Sequence, residues 1–217
     1  MGNFFSVTTD WTLRGDRKPR VIYLCEGESE TEYVDTWLTD RRENNNNIWI
    51  YCFRGLSQID AKINILIKEP NFKYVNTVCI FLDAEDNFEQ RKRDVCRMLR
   101  RMDFPSTNVN NTPWVETNNG KKSCVFISPD MNSTGRIENI VLNEIRTKVG
   151  VFDCLEEYRQ CVLRSGISSF DEKKIVNSYI ITNQVGISLG AAFKRKIFDL
   201  NHNAYRDVNN LLEQALS

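Results

Sequence analysis

Three nearly unbroken apolar stretches alternate with amphipathic ones through the first half of the chain. Residues 20–25 (RVIYLC), 48–53 (IWIYCF) and 75–83 (VNTVCIFLD) have the length and the β-branched and aromatic content of buried strands. After each, apolar side chains recur at helical spacing: Tyr33, Val34, Trp37 and Leu38 within 29–42, Ile59, Ile63, Leu66 and Ile67 within 58–69, and Val95, Leu99 and Met102 within 87–102. The asparagine tract 44–47 ends the first helix, and Gly55 breaks the chain before the second. A polar loop over 105–122 leads to a fourth strand at 123–128 (SCVFIS), the turn PDMNSTG and a helix at 136–145. Beyond Gly150 only helices are expected, near 154–163, 171–181 and 205–216.

Strands that are apolar on both faces and alternate with helices predict an α/β fold with a mainly parallel sheet covered on both sides. The expected organisation is a polar lead (1–19), an α/β core (20–150) and a helical extension packed on that core (151–217). In such sheets, ligands collect beyond the carboxyl ends of the strands.

The 217 residues, 41% of them hydrophobic, are enough for a sizeable core. With 29 basic and 29 acidic residues the chain has no overall field to draw it to nucleic acid or an anionic membrane, so such binding needs a local patch. None of the seven cysteines forms a CxxC pair, which excludes the usual zinc framework and, with several inside strand-like runs, suits a reducing cytoplasm. The polar start and the lack of a long apolar run predict a soluble, intracellular protein.

The acids are distributed unevenly. Glu26 follows the first strand, Asp83, Glu85 and Asp86 the third, and Asp130 the fourth, so all collect at one sheet edge. A lone acid after a strand reads as a helix cap or a solvated turn. Several converging carboxylates need a counter-charge, and a hard divalent cation such as Mg²⁺ or Mn²⁺ supplies it. If the first and third strands are neighbours, Glu26 and Asp83 converge. Gly27 fits a close backbone approach or a plain turn, while Glu28 and Glu32 suit the positive end of the following helix.

The run Glu26-Gly27-Glu28-Ser29-Glu30 after one apolar strand, with Asp83-Ala84-Glu85-Asp86 after another, resembles the Toprim fold of topoisomerases, bacterial-type primases and OLD-family nucleases. The later segments FISPDMNSTGRIENIVLNEI and LGAAFKRKIFD are similar to small stand-alone Toprim-like proteins, some of which accompany ATPases in bacterial anti-phage systems. The resemblance spans about residues 20–217 and implies a Rossmann-like sheet with Glu26, Asp83 and Glu85 as catalytic residues. It also implies Glu26, Glu30, Asp83 and Glu85 as metal ligands. The second aspartate of the family's DxD is Glu85 here, with Asp86 next to it, so either can be the ligand, and Asp130 is a candidate for a further one.

On the 87–102 helix, Arg93, Arg97 and Arg100 or Arg101 make a basic stripe that either tracks a nucleic-acid backbone or is a solvated face. Lys194, Arg195 and Lys196 read as a phosphate contact or as surface residues. Lys173 and Lys174 open a helix where positive charge is unfavourable, which marks Lys174 as a candidate phosphate contact. Glu138 reads as an exposed helix acid or a second-metal ligand, and His202 as a packing residue. Trp37 and Trp49 read as core, and Trp114 as a loop contact. The expected function is a Mg²⁺- or Mn²⁺-dependent nuclease acting on DNA or RNA with an ATPase partner. The competing expectation is a non-catalytic module that docks on that ATPase, and a third is nucleotide or primer synthesis.

Overall fold

The computed structural model describes residues 6–7, 18–41, 47–57, 59–106 and 114–217. Its strands are β1 (Ser6–Val7), β2 (Val21–Cys25), β3 (Ile48–Cys52), β4 (Thr77–Asp83), β5 (Trp114–Asn118) and β6 (Lys121–Ser128). They form one sheet in the order β1-β3-β2-β4-β6-β5, parallel throughout except for β5, which runs antiparallel to β6. The strands read from the sequence are therefore its central ones, and every residue of β2 and β4 is buried.

The helices are α1 (Glu28–Asp40), α2 (Ile59–Leu66), α3 (Phe88–Arg101), α4 (Ile137–Arg146), α5 (Val151–Arg164), α6 (Glu172–Asn183), α7 (Leu189–Lys194) and α8 (Arg206–Leu216). On one sheet face, α1 lies against β2 and β3 and α8 against β4 and β6. There the Tyr23 hydroxyl donates to the Leu212 carbonyl at 3.2 Å. The alternate residues Ile22 and Leu24 point to the other side, where α3 packs on β4 and β6 with α2 beside it. No helix among the described residues is long and apolar enough to cross a membrane.

The C-terminal helices share the sheet's core. Tyr33 of α1 meets Phe81 of β4, Phe193 of α7 and Tyr205 at ring-centroid distances of 6.1, 5.3 and 5.6 Å, and its hydroxyl donates to Asn209 of α8 at 2.7 Å. Of residues 151–217, α8 thus covers the sheet directly, and α7 reaches its core through α1.

Two elements differ from the sequence expectation. The second half of the 105–122 loop forms the hairpin β5–β6, turned by Asn119 and Gly120 at φ of 50° and 76°. Both residues occupy the left-handed region that a two-residue hairpin turn requires, and asparagine and glycine enter it most readily. The short helix α7, capped by the Ser188 hydroxyl, was not expected at all. The lead 1–19, apart from Ser6, Val7, Lys18 and Pro19, lies outside the described residues, as does most of the asparagine tract.

Candidate active site

Strand β2 exits through α1 toward β3, whereas its neighbour β4 exits through α3 toward the opposite edge. A crevice opens where outgoing connections diverge in this way, and ligands of parallel sheets occupy it. Glu26 and Asp83 stand on its two sides. The Glu26 N–H donates to the Phe81 carbonyl at 3.1 Å, and the Asp83 N–H donates to Glu26 Oε2 at 3.2 Å.

Glu30 is brought in by the first turn of α1. The Gly27 N–H donates to Glu30 Oε2 at 2.9 Å, folding the side chain back over the helix start. A Cβ at Gly27 would stand 2.8 Å from that oxygen, so any larger residue here would displace the Glu30 carboxylate. On the far wall, Asp83 Oδ1 accepts from the Ile137 N–H at 2.9 Å, which ties β4 to the first turn of α4. That turn also contributes Glu138. The cavity, about 360 Å³, is lined by Glu26, Glu30, Asp83, Glu85, Arg136 and Glu138 among others.

Three of these acids are nearly sealed from water: Glu30 is 3% exposed, Asp83 8% and Glu138 8%. Burial, then Glu30, Glu138 and Glu26, pushes the Asp83 carboxyl up to about 9. Burial, with Glu138 and Glu26 adding to it, raises Glu30 to about 7. Burial raises Glu26 as well, against the pull of Arg91. Glu144, equally buried on α4, shows how this fold otherwise treats such a group. It is held by Lys148 at 3.0 Å, the Tyr205 hydroxyl at 2.8 Å and the Asp199 N–H at 3.3 Å. Among the described residues, the ion pairs of Glu26, Glu30, Asp83 and Glu138 are only the looser ones of Arg91 to Glu26 at 3.8 Å and Lys173 to Glu138 at 3.9 Å.

The consequence for stability has a definite sign. Carboxyls raised on folding favour the native state below their unfolded values near 4, and that contribution is lost as pH climbs through about 7 for Glu30 and 9 for Asp83. In EDTA, the melting temperature is expected to fall from pH 6 to pH 8.5. Added Mg²⁺ or Mn²⁺ should raise it more at pH 8.5 than at pH 6, because protons and cation compete for the same oxygens. A melting temperature that is flat across this range with and without cation would contradict this electrostatic picture.

Glu85 and Asp86 separate. Glu85 takes a left-handed backbone conformation, φ 52°, and Arg136 Nε donates to its Oε2 at 2.6 Å. Asp86 is exposed and faces a neighbouring cavity rather than the one lined by Asp83. Asp130 does not reach the site. Its carboxylate closes a turn by accepting from the N–H groups of Asn132 and Ser133 at 2.9 and 2.8 Å, so the turn reading fits it.

The basic stripe is largely neutralised in place. Arg97 pairs with Asp94 at 3.1 Å and Asp60 at 3.6 Å, and Arg101 pairs with Asp60 at 2.7 Å. Arg93 is exposed and bonds only Gln90 at 2.8 Å, while Lys174 is turned to the Ser169 carbonyl at 2.6 Å. The cations beside the acids are instead Arg91, Arg136 and Lys173. Their sequence signal was weak, since Arg91 lies off the stripe and Lys173 shows only as one of two lysines at a helix start. Glu138, read as an exposed helix acid or a second-metal ligand, is buried because it occupies the α4 turn that Asp83 anchors. Trp37 and Trp49 are core, and the side chain of Trp114 lies outside the described residues.

Among the described residues, no three His, Cys, Asp or Glu side chains already surround a single point so as to hold a metal ion. The donor set nonetheless fits a hard cation. Backbone N–H groups fix one oxygen each of Glu26, Glu30 and Asp83 at 3.2, 2.9 and 2.9 Å. Ser128, in register with Asp83, has a buried hydroxyl without a partner among the described residues. Carboxylate and hydroxyl oxygens are the ligands Mg²⁺ and Mn²⁺ take.

A family model described as "Protein of unknown function (DUF3226)" matches residues 20–217. No curated protein matches the chain. The crystal structure of a hypothetical protein from Pyrococcus horikoshii OT3 is similar at a TM-score of 0.58 and 13% identity, covering 91% of this chain and 100% of the other. At that identity the similarity shows a common fold alone.

Proposed function

The chain belongs to the DUF3226 family, and on that footing we propose that it is a Toprim-like, divalent-metal-dependent phosphodiester hydrolase acting on DNA or RNA. The observation that carries this reading is the convergence of Glu26, Glu30, Asp83 and Glu138 at the β2–β4 crevice, three of them buried and under-compensated by cations. Glu26, Glu30 and Asp83 would hold Mg²⁺ or Mn²⁺, with Glu138 behind them. The bound ion supplies Lewis-acid stabilisation of charge on a phosphoryl group.

The chain's own side chains supply the rest. Glu26, less buried than Asp83 and with one oxygen fixed by the Asp83 N–H, is placed to accept a proton from an attacking water. Arg136 and Lys173 line the same cavity and Arg91 approaches Glu26 at 3.8 Å, bringing positive charge where the non-bridging oxygens of a phosphodiester need it. The Toprim resemblance supports nucleic acid as the substrate and an ATPase as the partner in anti-phage defence.

One observation favours the second reading, a non-catalytic module docking on an ATPase. Arg97 and Arg101 are occupied by Asp60, so α3 offers little free positive charge to a nucleic-acid backbone. Cleavage of labelled single- and double-stranded DNA and RNA by the purified chain, in Mg²⁺ or Mn²⁺ and with or without a co-purifying ATPase, decides between them. The proposal expects cation-dependent cleavage that falls roughly a hundredfold or more in Glu26→Gln. Cleavage that is unchanged in this variant would remove the catalytic assignment, and no cleavage under any condition would favour the docking module.

A further inference from the structure

Helix α5 is poorly covered by the rest of the molecule. Of its 14 residues only Leu155 is buried. Val151, Cys154, Tyr158 and Cys161 recur at spacings of three, four and three, which lines them up along one side. All four are exposed, Tyr158 at 54%. Val149 and Ile167, just beyond the two helix ends, are exposed apolar residues as well, Val149 at 91%.

The charges beside this stripe indicate what covers it. Glu157 and Arg164 are exposed and seven residues apart, so they lie on the same face, about 10 Å apart along the axis. Neither has an ion-pair partner among the described residues, although Glu156 and Arg159 on the same helix pair with each other at 3.3 Å. A second α5 laid antiparallel across a two-fold axis near the C-terminal half of the helix sets Glu157 against Arg164 of the second copy. The symmetry makes the reciprocal pair as well. The same register places Tyr158 against Cys161 of the second copy. A different protein would need its own matching charges, whereas a second copy carries them already.

We propose that the chain self-associates through α5, packed antiparallel on α5 of a second copy, with Tyr158 at the centre and two Glu157–Arg164 pairs at the rim. A helix of this length is about 21 Å long and buries a modest area, so the dimer is expected to be weak and concentration-dependent. This inference does not depend on the proposed activity.

The test is sedimentation equilibrium of the full chain under reducing conditions, from about 1 to about 100 µM, where a micromolar association is resolved. Wild type should show a monomer–dimer equilibrium. Glu157→Arg and Arg164→Glu should each weaken it by about tenfold or more, since like charges then face each other. The double variant E157R/R164E should return to within about threefold of wild type, because the swap rebuilds both pairs. Both sites are exposed, and circular dichroism melts would verify that the variants fold. A wild-type monomer at every concentration, single variants that associate like wild type, or a double variant that is not restored would each overturn the proposal.

Discussion

Asp83→Asn is expected to cut cation-dependent hydrolysis by roughly a hundredfold to a thousandfold while making the cation-free protein more stable. The two effects have one cause. Asparagine keeps an oxygen that can accept from the Ile137 N–H, now at 2.9 Å, so β4 stays tied to α4. What disappears is a carboxyl that burial and three neighbouring glutamates keep from ionising, so that folding at pH 8 must take up a proton. Relief of that penalty should stabilise the fold by about 1–3 kcal/mol at pH 8, a rise of several degrees in melting temperature for a chain of this size. Thermal melts in EDTA at pH 6 and pH 8, beside the cleavage assay, check both halves. A variant less stable than wild type at pH 8 would mean that Asp83 is retained for structure.

The second large effect concerns the C-terminal helices. Tyr33→Ala is expected to cost about 3–5 kcal/mol, because it empties a fully buried aromatic site and leaves Asn209 without its donor. A chain ending at residue 150 should not fold at all. It would expose Tyr23, Cys79, Phe81 and Phe126, the sheet face that α8 and the helices around Tyr33 now cover. Urea unfolding of the variant and circular dichroism of the truncated chain provide the measurements. A cooperatively folded 1–150 fragment would make residues 151–217 an appendage instead of half of the core.

How much the sequence disclosed depends on the range of the interactions involved. Strands such as 21–25 and 77–83 were legible because burial on both faces demands continuous apolar residues, whatever their neighbours. Glu26 and Asp83 were legible together once two parallel strands were taken as adjacent, and the pairing of Cys25 with Phe81 makes them so. The hairpin at Asn119–Gly120 carried a strong local signal in its Asn-Gly pair, masked by the polar residues around it. Other features had no local signature. Glu138 looks like any helix-start acid until Asp83 docks on that turn, and Arg97 and Arg101 look free until α2 brings Asp60 beside them. Asp130 was misleading for the opposite reason, since a turn that satisfies its own carboxylate lies where a ligand was expected.

The central claim is that the crevice acids form a cation site, and titration of the purified chain with Mn²⁺ at pH 8, followed by the electron paramagnetic resonance of the free ion, tests it most directly. Wild type should bind Mn²⁺ saturably, and Asp83→Asn, fully folded, should bind it about tenfold or more weakly. Equal Mn²⁺ binding by the two proteins would contradict it.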